Sequence, residues 1–208
     1  MRKTKFWKNF DKNQDKFFHE FIVDEIRDLL KCDFPLKFFW NIAEQQKQDY
    51  VVYNTEDLDL TYKYTKEYID FLSSAKCVYE YSEKNLSFFQ GTFTPYLPDL
   101  KSKYNNCHKE IEVLSYGVLL ERRRDILENL KKSYDVHHVD NMTLKEMFEL
   151  IKKSKWVLSV GSSTNIHNDL LRVTPALNMG ANILLEETQE IWYNEYLKKN
   201  FSERIKYI

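Results

Sequence analysis

The chain has 208 residues, with 31 Lys+Arg against 32 Asp+Glu, and this near-neutral balance gives no bulk electrostatic reason to grip nucleic acid or acidic lipid. Only 4 Gly and 4 Pro, beside 43% hydrophobic and 15% aromatic residues, exclude a collagen-like, linker-rich or broadly disordered protein. Cys32, Cys77 and Cys107 are odd in number and widely spaced, without the C-x-x-C of a zinc knuckle or redox motif, so they read as reduced thiols of a cytoplasmic protein.

The basic start, Met1 to Lys5, is followed by no apolar h-region, and no uncharged apolar stretch approaches the 18 residues of a membrane span. Neither a signal peptide nor a membrane span is expected. Lys5-Phe6-Trp7 is a weak first strand, and Phe17 to Leu30 sets Phe17, Phe18, Phe21, Ile22, Ile26, Leu29 and Leu30 on one broad helical face. After Pro35, Lys37 to Trp40 and then Tyr50 to Tyr53 read as strands. Tyr62 to Ser74 reads as a helix and Cys77 to Tyr81 as a strand. Pro95 and Pro98 force an irregular crossing.

The second half is more sharply patterned. Strands are expected at Ile111–Tyr116, Val136–Val139, Trp156–Val160, Ala181–Leu185 and Arg204–Ile208. The helices between them run over Leu119–Lys132 (with Leu120, Ile126, Leu127 and Leu130 inward), from Leu144, over Asp169–Met179 and over Gln189–Lys199. Thr143-x-x-Glu146 is a capping box, and Gly180 stands where a helix stop is wanted. Five strands alternating with helices predict an α/β, doubly wound parallel sheet. A boundary at Pro95–His108 divides the chain into an α/β half over 1–100 and another over 109–208, with a cleft between them.

Ligands of such sheets sit at the carboxyl ends of the strands. The positions to inspect are therefore Asn54-Thr55-Glu56, Gly117, Asp140, Gly161-Ser162-Ser163 and Glu186-Glu187. Gly117 leads into Glu121-Arg122-Arg123-Arg124, where a glycine turn, a helix N-terminus and guanidinium groups suit a diphosphate. The same run also reads as a solvated helix face, and three consecutive arginines cannot all point one way. Glu186 and Glu187 suit ribose hydroxyls, or equally a helix start. His167 and Arg172 flank that rim. Glu56 is the acid expected to act as base or to accept from a substrate hydroxyl.

Other signals are thinner. Asp57-x-Asp59 has the spacing of a metal-binding pair, which also arises by chance. His138 and Asp140 share a strand face but lack further zinc ligands. Ser162 has no nucleophile-elbow glycines around it. Neither G-x-G-x-x-G nor a P-loop occurs, which weighs against dehydrogenases and P-loop enzymes. No metal site is expected.

From Tyr50 to Glu187 an ordered series resembles the group-1 glycosyltransferases of the GT-B type, near the branch of bacterial spore-maturation proteins. It comprises Asn54-Thr55-Glu56, Val78 to Ser82 with Asn85, Tyr96-Leu97-Pro98, Val113 to Gly117 with Glu121-Arg122-Arg123, Ile151 to Val160, and Arg172 to Glu187. The resemblance implies two Rossmann-like halves and metal-independent transfer of a sugar from a nucleotide-sugar donor to a glycan or glycoprotein acceptor. It needs no bound cofactor. Carried onto this chain, Gly117 with Arg122 or Arg123 faces the diphosphate, and Arg172 lies near the donor. Glu186 or Glu187 holds its ribose or sugar, and Glu56 lies on the acceptor side. The Lys-, Asn-, Tyr-, Phe- and Ile-rich composition resembles that of AT-rich genomes, large DNA viruses among them, for which the host cytoplasm is the expected location. The alternative is a non-catalytic nucleotide- or sugar-binding module, which the short first half favours.

Overall fold

In the computed structural model the described residues are 26–31, 36–37, 49–54, 66–100, 108–117, 119–140, 142–161 and 169–208. The expected strand at Lys5-Phe6-Trp7, most of the helix from Phe17, residues 38–40, Glu56, Asp57, Asp59, Ser162 and His167 lie outside them. The chain is α/β, with two wholly parallel sheets that follow one another in sequence.

The first sheet holds β1 (Leu36–Lys37), β2 (Val51–Asn54), β3 (Cys77–Glu80) and β4 (Thr92–Phe93) in that spatial order. Every residue of β2 is buried, as expected of a strand covered on both faces. Helix α1 (Lys66–Ser73) packs Tyr68, Phe71 and Leu72 against Tyr50, Val52 and Val78 on one face. On the other face, Val51 and Tyr53 enter a larger core. A single 3₁₀ turn, Lys84–Ser87, follows β3.

The second sheet holds β5 (Ile111–Tyr116), β6 (Val136–Val139), β7 (Ser154–Ser159), β8 (Asn182–Leu185) and β9 (Ile205–Tyr207) in the order β6-β5-β7-β8-β9. Helix α2 (Glu121–Leu130) covers one face of this sheet. The chain then reverses across β5, so α3 (Leu144–Lys153), α4 (Leu170–Asn178) and α5 (Ile191–Phe201) lie on the other. The core follows that division. Leu127 of α2 packs with Val113, Leu158 and Leu184, whereas Met147, Ile151, Val173 and Leu197 pack with Leu114, Val157 and Ile183. The reversal creates a topological switch point between the carboxyl ends of β5 and β7, where ligands of doubly wound sheets bind.

The larger core is continuous between the sheets, joining Val51, Tyr53, Tyr81 and Tyr96 to Leu170, Val173 and Tyr193. Polar contacts reinforce it: Thr174 Oγ1 donates to the Tyr96 carbonyl at 2.6 Å, and the Asp99 N–H donates to Asn178 Oδ1 at 2.8 Å.

Several elements match the sequence pattern closely. The strands at 111–116 and 136–139 have the expected bounds, and both hydrogen bonds of the Thr143/Glu146 capping box are made. Gly180 takes a φ of 81° immediately after the C-cap Met179 of α4. There a Cβ is disfavoured, so Gly180→Ala should cost about 1 kcal/mol in urea unfolding, and an unchanged midpoint would argue against this role. Two readings need correction. Leu120, expected inward, is the N-cap of α2 and 45% exposed, so Leu119 packs in its stead. Strand β4 was not anticipated, because both of its residues are exposed and two residues carry no period.

Candidate functional site

The switch point is built from strand ends. Tyr116 ends β5 and Gly117 follows with φ 91°, a conformation that only glycine takes freely. A Cβ added at Gly117 would meet nothing within 4 Å, so the turn faces open ground. The Gly117 N–H donates to the Val139 carbonyl at 3.1 Å, tying the carboxyl ends of β5 and β6 together. A small pocket opens here, lined by Ser115, Tyr116, Gly117, Arg123, His138 and Arg172 among others. The space between them admits a water molecule and little more.

Three arginines surround this pocket in different states. Arg123 lines it, and its Nε donates to the Val160 carbonyl at 3.1 Å. Arg172 reaches in from α4, its Nη1 paired with Asp169 Oδ2 and its guanidinium carbon 5.2 Å from the centre of the Tyr116 ring. Burial opposes the Arg172 charge, but Asp169 and Tyr116 outweigh it and hold the guanidinium pKa above its ordinary value. Among the described residues, its Nε is buried without a hydrogen-bond partner. That is a donor in want of an acceptor. Burial in turn pushes the Tyr116 hydroxyl well above the usual phenol range. Ser159 Oγ donates to Asp169 Oδ2 at 2.7 Å and so fixes the acid that orients Arg172.

Arg122 is engaged differently. Both of its Nη atoms donate to the carboxylate of Glu186, and Nη1 also donates to the Gly161 carbonyl at 3.1 Å. The Gly161 N–H donates to Glu186 Oε2 at 3.1 Å. The hydrogen bonds to Glu186 raise the Arg122 pKa further. This closed set fastens α2, the exit of β7 and the exit of β8 to one another. Arg124 is exposed. The structure thus brings Gly117, Arg123 and Arg172 to one pocket and joins Arg122 to Glu186 at its rim. Glu187 stands in solvent, paired with Lys198 at 2.9 Å.

A second polar cluster lies where the two sheets meet, and sequence reasoning did not single it out. Glu80 ends β3, fully buried, and accepts from Asn54 Nδ2 at 2.6 Å, the Ser82 N–H at 2.9 Å and Asn85 Nδ2 at 3.1 Å. Tyr68 donates its hydroxyl to Asn54 Oδ1. Burial pushes the Glu80 carboxyl up to about 8 against the pull of these donors, and the nearby Glu190 adds to the rise. Ser82 Oγ donates to Glu190, which also accepts from Trp192 Nε1. Phe93 packs edge-on against Trp192, with centroids 5.0 Å apart. Lys84 Nζ donates to Gln189 Oε1 at 3.0 Å. The loops leaving the carboxyl ends of β3 and β8 are therefore in contact. The only sequence signal for Glu80 was its place in the Val78-to-Ser82 motif.

Among the described residues, no group of three or more His, Cys, Asp or Glu gathers to hold a metal, and no helix is long and apolar enough to cross a membrane. Comparison with models of known protein families and with curated protein sequences returned no match to this chain.

Proposed function

We propose that the protein is a nucleotide-sugar glycosyltransferase, with the donor's diphosphate at the switch point of the second sheet. The observation that carries this reading is the part-buried Arg172, whose buried Nε is unsatisfied among the described residues, in the same pocket as Arg123 and the open glycine turn at Gly117. One anionic oxygen of a diphosphate lying on the open Gly117 turn would fill the water-sized space and complete the hydrogen bonding of Arg172, and the others would meet the amino end of α2. The meeting of the β3 and β8 exit loops supports an acceptor approaching from the first sheet. In the reaction, the bond from the sugar's anomeric carbon to the diphosphate oxygen breaks as the acceptor oxygen bonds to that carbon. The acceptor's proton goes to a base, for which the sequence nominates Glu56. The cationic groups stabilise the charge that develops on the departing diphosphate.

Calorimetric titration with a panel of nucleotide sugars, with and without chelator, tests this. One donor should bind regardless of chelator, and Arg123→Ala and Arg172→Gln should each weaken it by about tenfold or more, the loss of a charge-assisted hydrogen bond. No binding across the panel would overturn the reading. Binding without turnover or slow hydrolysis of any donor would favour a non-catalytic nucleotide- or sugar-binding module.

A further inference from the structure

We propose that Asp140 is the acceptor for the ribose hydroxyls of a ribonucleoside diphosphate at the switch point, with His138 as its positioning residue; the inference rests on the nucleotide reading above. Asp140 follows β6 directly, and β6 is the edge strand beside β5. The Gly117 N–H bonds to the carbonyl of Val139, so the glycine turn and Asp140 leave the sheet side by side. When a phosphate sits on the turn after the first strand of a βαβ unit, the ribose falls over the end of the second strand. An acid there, about 20 residues on, accepts from its hydroxyls. Asp140 stands at that place, in the unit β5–α2–β6.

The side-chain geometry fits the role. His138 is the cross-strand partner of Ser115, and its Nδ1 lies 3.0 Å from Ser115 Oγ. Its Nε2 lies 3.2 Å from Asp140 Oδ1, so one carboxylate oxygen is held while the other has no partner among the described residues. Ser115 and His138 both line the pocket, whereas the Asp140 side chain, 52% exposed, lies outside that lining and reaches it through His138. The competing acid is committed elsewhere: Glu186 gives one oxygen to Arg122 and the other to both Arg122 and the Gly161 N–H. Asp140 is the strand-end acid beside Gly117 with an oxygen to offer a diol.

The probes are the four common ribonucleoside diphosphates and their 2′,3′-dideoxy counterparts, titrated by calorimetry against the full chain and its Asp140→Ala and His138→Phe variants. The wild type should prefer the ribose form of at least one by about tenfold to a hundredfold, the worth of one or two hydrogen bonds to a charged group. In Asp140→Ala that ratio should fall to near one, with affinity for the dideoxy form unchanged. His138→Phe should lower the ratio partway. A ratio preserved in Asp140→Ala, or equal binding of both forms by the wild type, overturns the role of Asp140 and leaves nucleotide binding standing. Failure of all four ribonucleotides to bind the wild type overturns the nucleotide reading and this inference together.

Discussion

Replacing Glu80 with glutamine is expected to remove a loss of stability that the wild-type protein suffers as pH rises from about 4.5 to about 8. Glu80 is buried with neutral partners, Asn54, Ser82 and Asn85, and its folded-state pKa stands well above the ordinary carboxylate value. Between the two pKa values the folded chain holds a proton that the unfolded chain has released. Stability therefore falls with rising pH through that window, is fully present below it and levels off above it. The displacement corresponds to a loss of at most about 5 kcal/mol, large beside the ~5–15 kcal/mol that holds a domain together.

Glutamine keeps the acceptor for the Ser82 N–H and Asn85. Its amide then faces Asn54, whose own amide turns over to accept, and the Tyr68 hydroxyl accepts in turn. The rearrangement costs about 1 kcal/mol. Glu80→Gln should thus be slightly less stable than wild type at pH 5 and more stable by a few kcal/mol at pH 9. The two curves cross when urea unfolding is followed across that range. Parallel curves would show that Glu80 is ionised throughout and that its three donors outweigh burial.

The legible part of this molecule is local. Strands β5 and β6 stand in the sequence because apolar, β-rich runs are bounded by Gly117, Asp135 and Asp140, and α3 announces itself through Thr143 and Glu146. His138 on β6 and Asp140 just past its end stand two apart in the chain, the spacing that sets extended residues on one side. What escaped is long-range pairing. Ser82 meets Glu190 across 108 positions and Arg122 meets Glu186 across 64, and no periodicity encodes which side chain a strand end will face once the crossovers are made. Glu190 illustrates this well. It stands at the N-cap of α5 without a side-chain cap bond, and its carboxylate accepts instead from Ser82, just past the carboxyl end of β3 in the other sheet. Strand order was hidden for the same reason, since placing β6 outside β5 depends on which crossover turns back.

The Arg122–Glu186 pair separates two roles that the sequence left open. Both side chains are about a quarter or less exposed, and together they satisfy both backbone groups of Gly161. Arg122→Ala or Glu186→Ala alone should each cost about 2 kcal/mol, because either leaves a partly buried charge and Gly161 without their partners. The double replacement should cost little more than one, a coupling of about 1–2 kcal/mol in a double-mutant cycle. Nucleotide affinity gives the sharper discrimination. If Arg122 holds the rim rather than the ligand, Glu186→Ala weakens binding as much as Arg122→Ala does, since either lets the exit of β7 and the adjoining Val160 carbonyl move away from Arg123. If Arg122 touches the diphosphate itself, Glu186→Ala frees its guanidinium and binding holds or tightens. The geometry favours the first outcome. A guanidinium already donating to two carboxylate oxygens and a carbonyl would have to surrender those bonds before it met a phosphate, whereas among the described residues Arg172 keeps a buried donor unused.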